Sequence, residues 1–104
     1  MYAMTGKLIA RDGKRAQLAE ILKQAAQVVA AIPECQMYIV SEDLSNSTHL
    51  WVFEIWDSRD AHDASLGNEQ VHALIAQARP LLAAAPDGVE LFPIGVHGLN
   101  HSIA

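Results

Sequence analysis

Glu54 stands between Phe53 and Ile55 and two residues before Trp56, in the stretch of the chain richest in large apolar side chains. A carboxylate among apolar groups holds its proton more tightly than in water, so Glu54 could serve as a base. It could equally be a structural carboxylate, paired with an Arg or Lys or satisfied by backbone donors. His62 and His72 lie in regions of helical pattern, and imidazole titrates nearest to neutral pH. Each could face a pocket as a proton acceptor, and each could equally sit in solvent. Tyr38, Trp51 and Trp56 offer flat apolar walls for an aromatic ligand, or plain core or subunit interface. Arg79, near the end of an apolar helical stripe, could neutralise a phenolate or carboxylate on such a ligand, or be solvated. These residue types suit proton transfer with a small aromatic molecule.

Other chemistries find less footing. His97 and His101 are four apart, but Gly98 lies between them in an expected tail, not on a helix where that spacing brings two imidazoles together. With His49, His62 and His72 they form no recognisable ligand set, so no metal is expected. The single cysteine, Cys35, excludes an intrachain disulfide and a cysteine-based zinc cluster. It reads as a half-buried apolar residue with no partner base. No glycine-rich loop points to phosphate binding.

The elements that must position these residues can be read from periodicity. Residues 2–11 alternate loosely, with Tyr2, Met4 and Leu8 on one side and Thr5, Lys7 and Arg11 on the other, which predicts a strand. Asp12-Gly13 interrupts it, and Asp12 is placed to cap the first helix. Over residues 14–32, Leu18, Ile21, Leu22, Ala25, Val28, Val29 and Ile32 recur at spacings of three and four, the pattern of a helix with one buried stripe. Pro33 ends it. Cys35–Glu42 and His49–Trp56 read as two strands of a hairpin around a polar turn. Ser58 can cap a short helix over residues 59–66. Gly67-Asn68 breaks that helix, and a second starts at Glu69 with Val71, Leu74, Ile75, Ala78 and Leu82 inward. Pro80 should kink its end. Residues 89–96 form a last strand after the Asp87-Gly88 turn, and Pro93 argues for a sheet edge or a bulge. Residues 98–104 are expected to be a mobile or partner-held tail.

The order is β-α-β-β-α-β, the ferredoxin-like α+β pattern: a four-stranded antiparallel sheet, the first and third strands central, both helical regions on one face. The other face cannot be bare. Both parities of the third strand, His49/Trp51/Phe53/Ile55 and Leu50/Val52/Glu54/Trp56, carry large apolar side chains. The simplest cover is a second copy packed sheet to sheet, a homodimer.

Composition agrees. The chain has 104 residues, enough for one domain over 1–104, and is 51% hydrophobic but only 18% charged, which is apolar for a small monomer. Seven basic against twelve acidic residues give a net charge of -5, and no Lys/Arg cluster offsets it, so nucleic-acid binding is not expected. No apolar run approaches the ~18 residues of a membrane span. The first residues do not read as a secretory leader, so a cytoplasmic location is expected.

Several stretches carry a resemblance. Pro33-Glu34-Cys35-Gln36-Met37-Tyr38, Phe53-Glu54-Ile55-Trp56-Asp57-Ser58 and Ala61-His62-Asp63-Ala64, with Gly13-Lys14-Arg15 and Ala78-Arg79-Pro80-Leu81-Leu82, resemble the antibiotic biosynthesis monooxygenase (ABM) family and its quinol-monooxygenase members. The resemblance covers residues 4–92, and its best motif is Glu54-x-Trp56. It implies a dimeric α/β barrel. It also implies oxygenation of a small aromatic phenol or quinol by O₂ without metal, flavin or haem, and thus no cofactor. Glu54 with His62 or His72 would handle protons, Tyr38, Trp51 and Trp56 would form walls, and Arg79 would contact substrate. The chain departs from the pattern where family members often carry a His near Ser65 and a His-Phe pair near Gln70-Val71. The haem-degrading branch has a Trp near Ser65 and a His near Ile75, and neither is present here. A non-catalytic dimer that binds a small hydrophobic ligand is the rival reading; a haem-handling protein is a third.

Overall fold

The computed structural model describes residues 1–99, and most of the expected tail (100–104) lies outside them. Eight segments keep the anticipated order: β1 (Tyr2–Ile9), α1 (Arg15–Ala30), β2 (Cys35–Glu42), β3 (His49–Trp56), α2 (Arg59–Ser65), α3 (Glu69–Ala78), a 3-10 turn (Arg79–Leu81) and β4 (Asp87–Leu91). The strands form one antiparallel sheet in the order β2-β3-β1-β4, so β1 and β3 are central. No helix among the described residues is long and apolar enough to cross a membrane.

Local chemistry adjusts the element ends. Gly13 adopts φ +75°, a conformation that favours glycine, and turns the chain into α1. The cap expected from Asp12 is not made: Lys14 occupies the capping position and makes no side-chain bond there. Asp12 lies two residues too early, and the turn is closed instead by the Lys14 N–H donating to the Arg11 carbonyl at 2.9 Å. β1 stops at Ile9 because Arg11 N–H bonds to the Leu81 carbonyl at 2.8 Å, drawing the chain towards the 3-10 turn. Pro80 sits in that turn, where a missing N–H interrupts no helix ladder. β4 starts earlier and ends earlier than the sequence pattern predicts. Asp87 and Gly88 pair with Lys7 and Gly6, and Pro93 falls beyond the strand.

Register decides which side of each strand meets the helices. Tyr38, Glu54, Met4 and Glu90 form one cross-strand row on the helix side; Val40, Val52, Gly6 and Gly88 form the next. Leu18 of α1, Leu50 and Trp56 are the largest fully buried side chains. One core cluster gathers Leu18, Ile21 and Leu22 against Leu50, Val52, Leu74 and Leu81. A second joins Tyr2, Val29, Trp56 and Val71.

The opposite face carries the rows Met37/Ile55/Ala3/Leu91, Ile39/Phe53/Thr5/Val89 and Ser41/Trp51/Lys7/Asp87. Residues of the segment after β4, from Phe92 to His97, border a shallow depression over Ala3, Met37, Phe53 and Ile55. Ile39, Trp51, Val89 and Leu91 remain exposed.

Candidate active site

A cavity of about 330 Å³ lies between the helices and the inner face of the sheet. That is at the lower end of the ~300–1,000 Å³ usual for small-molecule sites, room for a compact ring system. Its walls come from both core clusters and are mostly aliphatic: Leu8, Ile21, Leu22, Val29, Val71, Leu74 and Ile75. Polar groups enter from Tyr38, Glu54, His62, Ser65 and Arg79.

Each arrives by a local cause. Glu54 lies on the even parity of β3, so it points with Val52 and Trp56 towards the helices. Tyr38 is its cross-strand neighbour. His62 is set by the start of α2, where Ser58 Oγ accepts from the Ala61 N–H at 3.0 Å and opens the helix. One turn on, His62 faces the sheet and is 6% exposed. Asn68 restarts the chain as α3 by accepting from the N–H groups of Gln70 and Val71 at 2.9 and 3.1 Å. That places Val71, Leu74 and Ala78 inward.

The centre of the site is a row of acidic and imidazole groups. Trp56 Nε1 donates to Glu54 Oε1 at 3.0 Å. The same oxygen lies 3.9 Å from His62 Nε2, and the other ring nitrogen, Nδ1, lies 3.0 Å from Asp63 Oδ1. The imidazole is packed against Tyr2 (centroids 5.3 Å apart) and meets the edge of Trp56 (5.8 Å, 80° between planes). Ser65 Oγ donates to the His62 carbonyl, fixing the helix turn beneath it. Burial pushes the Glu54 carboxyl above the ordinary carboxylate range, opposed by the Trp56 hydrogen bond and, when His62 is protonated, by its charge. Burial, and then the charge of Glu54, raises the Cys35 thiol to about 11 and pushes the Tyr38 phenol up as well. The site therefore offers a proton acceptor in apolar surroundings beside groups that keep their own protons.

The structure brings Tyr38, Glu54, His62 and Arg79 to one cavity and separates the other expected residues from it. His72 is exposed and does not line the cavity, because Val71 beside it takes the inward position and the next residue of a helix points about 100° away. Trp51 lies on the opposite face of the sheet, where its Nε1 donates to Asp43 Oδ2 at 2.9 Å and Lys7 Nζ stands 6.0 Å from its ring. Odd parity in β3 excludes it from the chamber. Trp56 is fully buried behind Glu54 and His62, an anchor for both and not an open wall. Two participants escape sequence reading. Ser65 lines the cavity from the inward side of α2, a position its neighbours did not mark as apolar. Asp63 directly succeeds His62, and adjacent helix residues normally diverge, so only the side-chain rotamers reveal their contact. Where the haem-degrading pattern has a Trp and a His, the cavity is lined by Ser65 and Ile75.

Comparison with known proteins agrees with this architecture. The family model described as "Antibiotic biosynthesis monooxygenase" matches residues 1–77. A solved structure from Chloroflexus aurantiacus J-10-fl that carries the same family name is 37% identical, with 95% of this chain and 98% of that one covered and a TM-score of 0.86. Another under that name, from Deinococcus radiodurans, is 27% identical over 94% of this chain and 100% of that one, with a TM-score of 0.81. Rv0793 from Mycobacterium tuberculosis shares the fold at 24% identity, covering 93% and 98% of the two chains with a TM-score of 0.84. No curated protein sequence matches the chain.

Proposed function

The chain belongs to the antibiotic biosynthesis monooxygenase family, and from that premise we propose that it oxidises a small aromatic phenol or quinol with O₂, without a cofactor, inside the chamber between helices and sheet. The observation that carries this reading is the Glu54–His62 pair opening into an otherwise largely aliphatic cavity. Such a cavity suits a flat ring and O₂, a bound ring would displace water from its aliphatic walls, and the pair accepts the hydroxyl proton. The 3.9 Å gap between Glu54 Oε1 and His62 Nε2 is too long for a hydrogen bond; catalytic contacts are often this long in a ligand-free site and tighten on binding. Tyr38 borders the ring, and Arg79 meets an anionic substituent.

For a quinol the chemistry balances with O₂ as sole oxidant. Loss of a hydroxyl proton to Glu54–His62 gives a quinolate, which passes one electron to O₂. The semiquinone and superoxide combine at a ring carbon ortho to oxygen, forming a C–O bond, and the peroxide takes up a proton. The O–O bond then breaks: the ring C–H proton departs to the base, the carbon becomes a carbonyl, and the leaving hydroxide takes a proton and becomes water. Quinol plus O₂ gives hydroxyquinone plus water; one oxygen atom stays in the product, and the protons return to the pair's starting state.

The proposal includes a homodimer closed by the outer sheet face. Ile39, Val89 and Leu91 are exposed there in register with Phe53, Thr5 and Ala3, a contiguous apolar patch that self-association would bury.

Oxygen uptake with a panel of reduced naphthoquinols in metal-chelated buffer tests the reaction. The expected result is uptake above the autoxidation blank, one ¹⁸O atom from ¹⁸O₂ in the product, and a roughly 10²–10⁴-fold loss in Glu54→Gln and His62→Asn. No uptake over the blank, with ligands still quenching tryptophan fluorescence, would replace this reading with that of a hydrophobic-ligand binder.

A further inference from the structure

We propose that Asp63 is a positioning residue, whose carboxylate fixes the proton of His62 on Nδ1 and so leaves a bare Nε2 facing Glu54 and the chamber. The catalytic consequence rests on the oxygenase reading above; the assignment of the proton does not.

A neutral imidazole has one N–H donor and one bare acceptor nitrogen, and the partners decide which is which. His62 is buried and held edge-on to Trp56 and tilted against Tyr2, so its two nitrogens have fixed outlooks. Nδ1 meets Asp63 Oδ1 at 3.0 Å, and a carboxylate oxygen only accepts, so Nδ1 must donate. Nε2 is then a lone pair looking at Glu54 Oε1 across 3.9 Å. Two acceptors face each other with no proton between them, the arrangement that most favours taking one up. A proton drawn from a bound hydroxyl can lodge on Nε2 or on the Glu54 carboxylate, both at the chamber wall.

Without the Asp63 carboxylate the balance reverses. Neutral His62 would place its own proton on Nε2 and donate it to Glu54. The acceptor nitrogen would then be Nδ1, which faces the partly exposed Asp63 position and not the cavity. The pair would remain in place, but Nε2 would be a donor and only the Glu54 carboxylate would be left to accept a proton at the cavity. Asp63 thus acts on the base through His62, much as an orienting carboxylate does for other catalytic imidazoles.

The neighbours of the pair leave this assignment intact. On α2, Arg59 stands 3.9 Å from Asp63 Oδ2 but is also held by Glu90 of β4 at 3.2 Å. Both contacts leave Oδ1 free for His62. Tyr2 from β1 faces the ring, and burial raises its phenol, so it stays a neutral contact. Tyr38 and Cys35 from β2 flank Glu54 and likewise keep their protons near neutral pH.

Two-bond ¹H–¹⁵N correlation spectra of uniformly ¹⁵N-labelled protein read the tautomer directly. The expected result is His62 as the Nδ1–H form in the wild type at pH 8 and a shift to the Nε2–H form in Asp63→Asn and Asp63→Ala. Asp63→Glu should restore the original pattern. Since Asp63 is a surface carboxylate, these variants should fold as the wild type does, which their amide spectra report. With an active quinol, Asp63→Asn should lower kcat at least tenfold, move the pH–rate profile and leave KM near its wild-type value. A wild-type His62 already in the Nε2–H form, or a tautomer and pH profile unmoved by Asp63→Asn, would overturn the proposal. The predicted tautomers without oxygen uptake in the wild type would leave the positioning role standing and remove the oxygenase reading instead.

Discussion

Replacing Trp56 by Phe removes one hydrogen-bond donor from the site and leaves most of the ring. The indole N–H donates to Glu54 Oε1 at 3.0 Å, and this bond is one of the two influences that lower the Glu54 proton affinity against burial. A bond to an ionised acceptor contributes about 1.5–3 kcal/mol and one to a neutral acceptor about 0.5–1.5 kcal/mol. The cost of the substitution therefore has two parts. A smaller ring in a fully buried position costs roughly 1–2 kcal/mol at every pH. The lost bond adds about 1 kcal/mol more where Glu54 is ionised than where it is protonated. The sign is fixed by linkage. The fold raises the Glu54 pKa, so the contribution of this group to stability is present below its unfolded value and is lost as pH rises through the folded one. Without Trp56 N–H the folded value rises further and the loss deepens. Urea melts of wild type and Trp56→Phe from pH 4 to pH 9 should show the gap in stability widening with pH, by the equivalent of about 4–8 °C in Tm. In a Glu54→Gln background the gap should be flat. A gap that does not change with pH in the wild-type background would refute the claim that the indole holds an ionisable, buried carboxylate.

Other parts of the molecule carry further expected outcomes. Phe53→Asp places a charge in the apolar outer rows and should convert the proposed dimer to monomer in sedimentation velocity, with the circular dichroism spectrum retained; an unchanged oligomeric state would remove that face from the interface. Leu18→Ala empties a fully buried position at the centre of the larger core cluster and should cost about 3 kcal/mol, read as a Tm lowered by roughly 12–24 °C. Asp43 is held down to about 2 by the Trp51 N–H and then by the Ser45 N–H, so its share of stability is present above the ordinary carboxylate range and lost as pH falls towards 2. In Trp51→Phe an NMR titration should find the Asp43 pKa moved back up, with chamber residues undisturbed, because Trp51 lies on the other face.

Much of this protein is written locally in the chain. The three-and-four spacing of Leu18, Ile21, Leu22 and Val29 specifies a helix with one apolar stripe, and Ser58 and Asn68 mark helix starts that the structure keeps. The β-α-β-β-α-β order follows from that punctuation, while the central places of β1 and β3 and the edge place of β4 follow from the ferredoxin-like pairing pattern and not from Pro93, which lies beyond the strand. Glu54 and His62 stand out because a carboxylate in an apolar strand and a histidine early in a short helix are conspicuous by type.

Tertiary structure decided the rest. The two parities of β3 are nearly equal in apolar character, so no pattern within the strand could say whether Trp51 or Trp56 faces the helices. Pairing with Tyr38 on one side and Met4 on the other, with the stripe of α1 packed above, breaks that tie. His62 and His72 look alike in sequence, and only the rotation of each helix against the sheet buries one and exposes the other. The 3.0 Å contact between Asp63 and His62 joins adjacent residues of one helix, which no periodicity specifies, around an imidazole held against Tyr2 and Trp56. Periodicity is a property of neighbours along the chain; the orientation of a face is a property of what packs against it, and the chemistry of this site depends on the second.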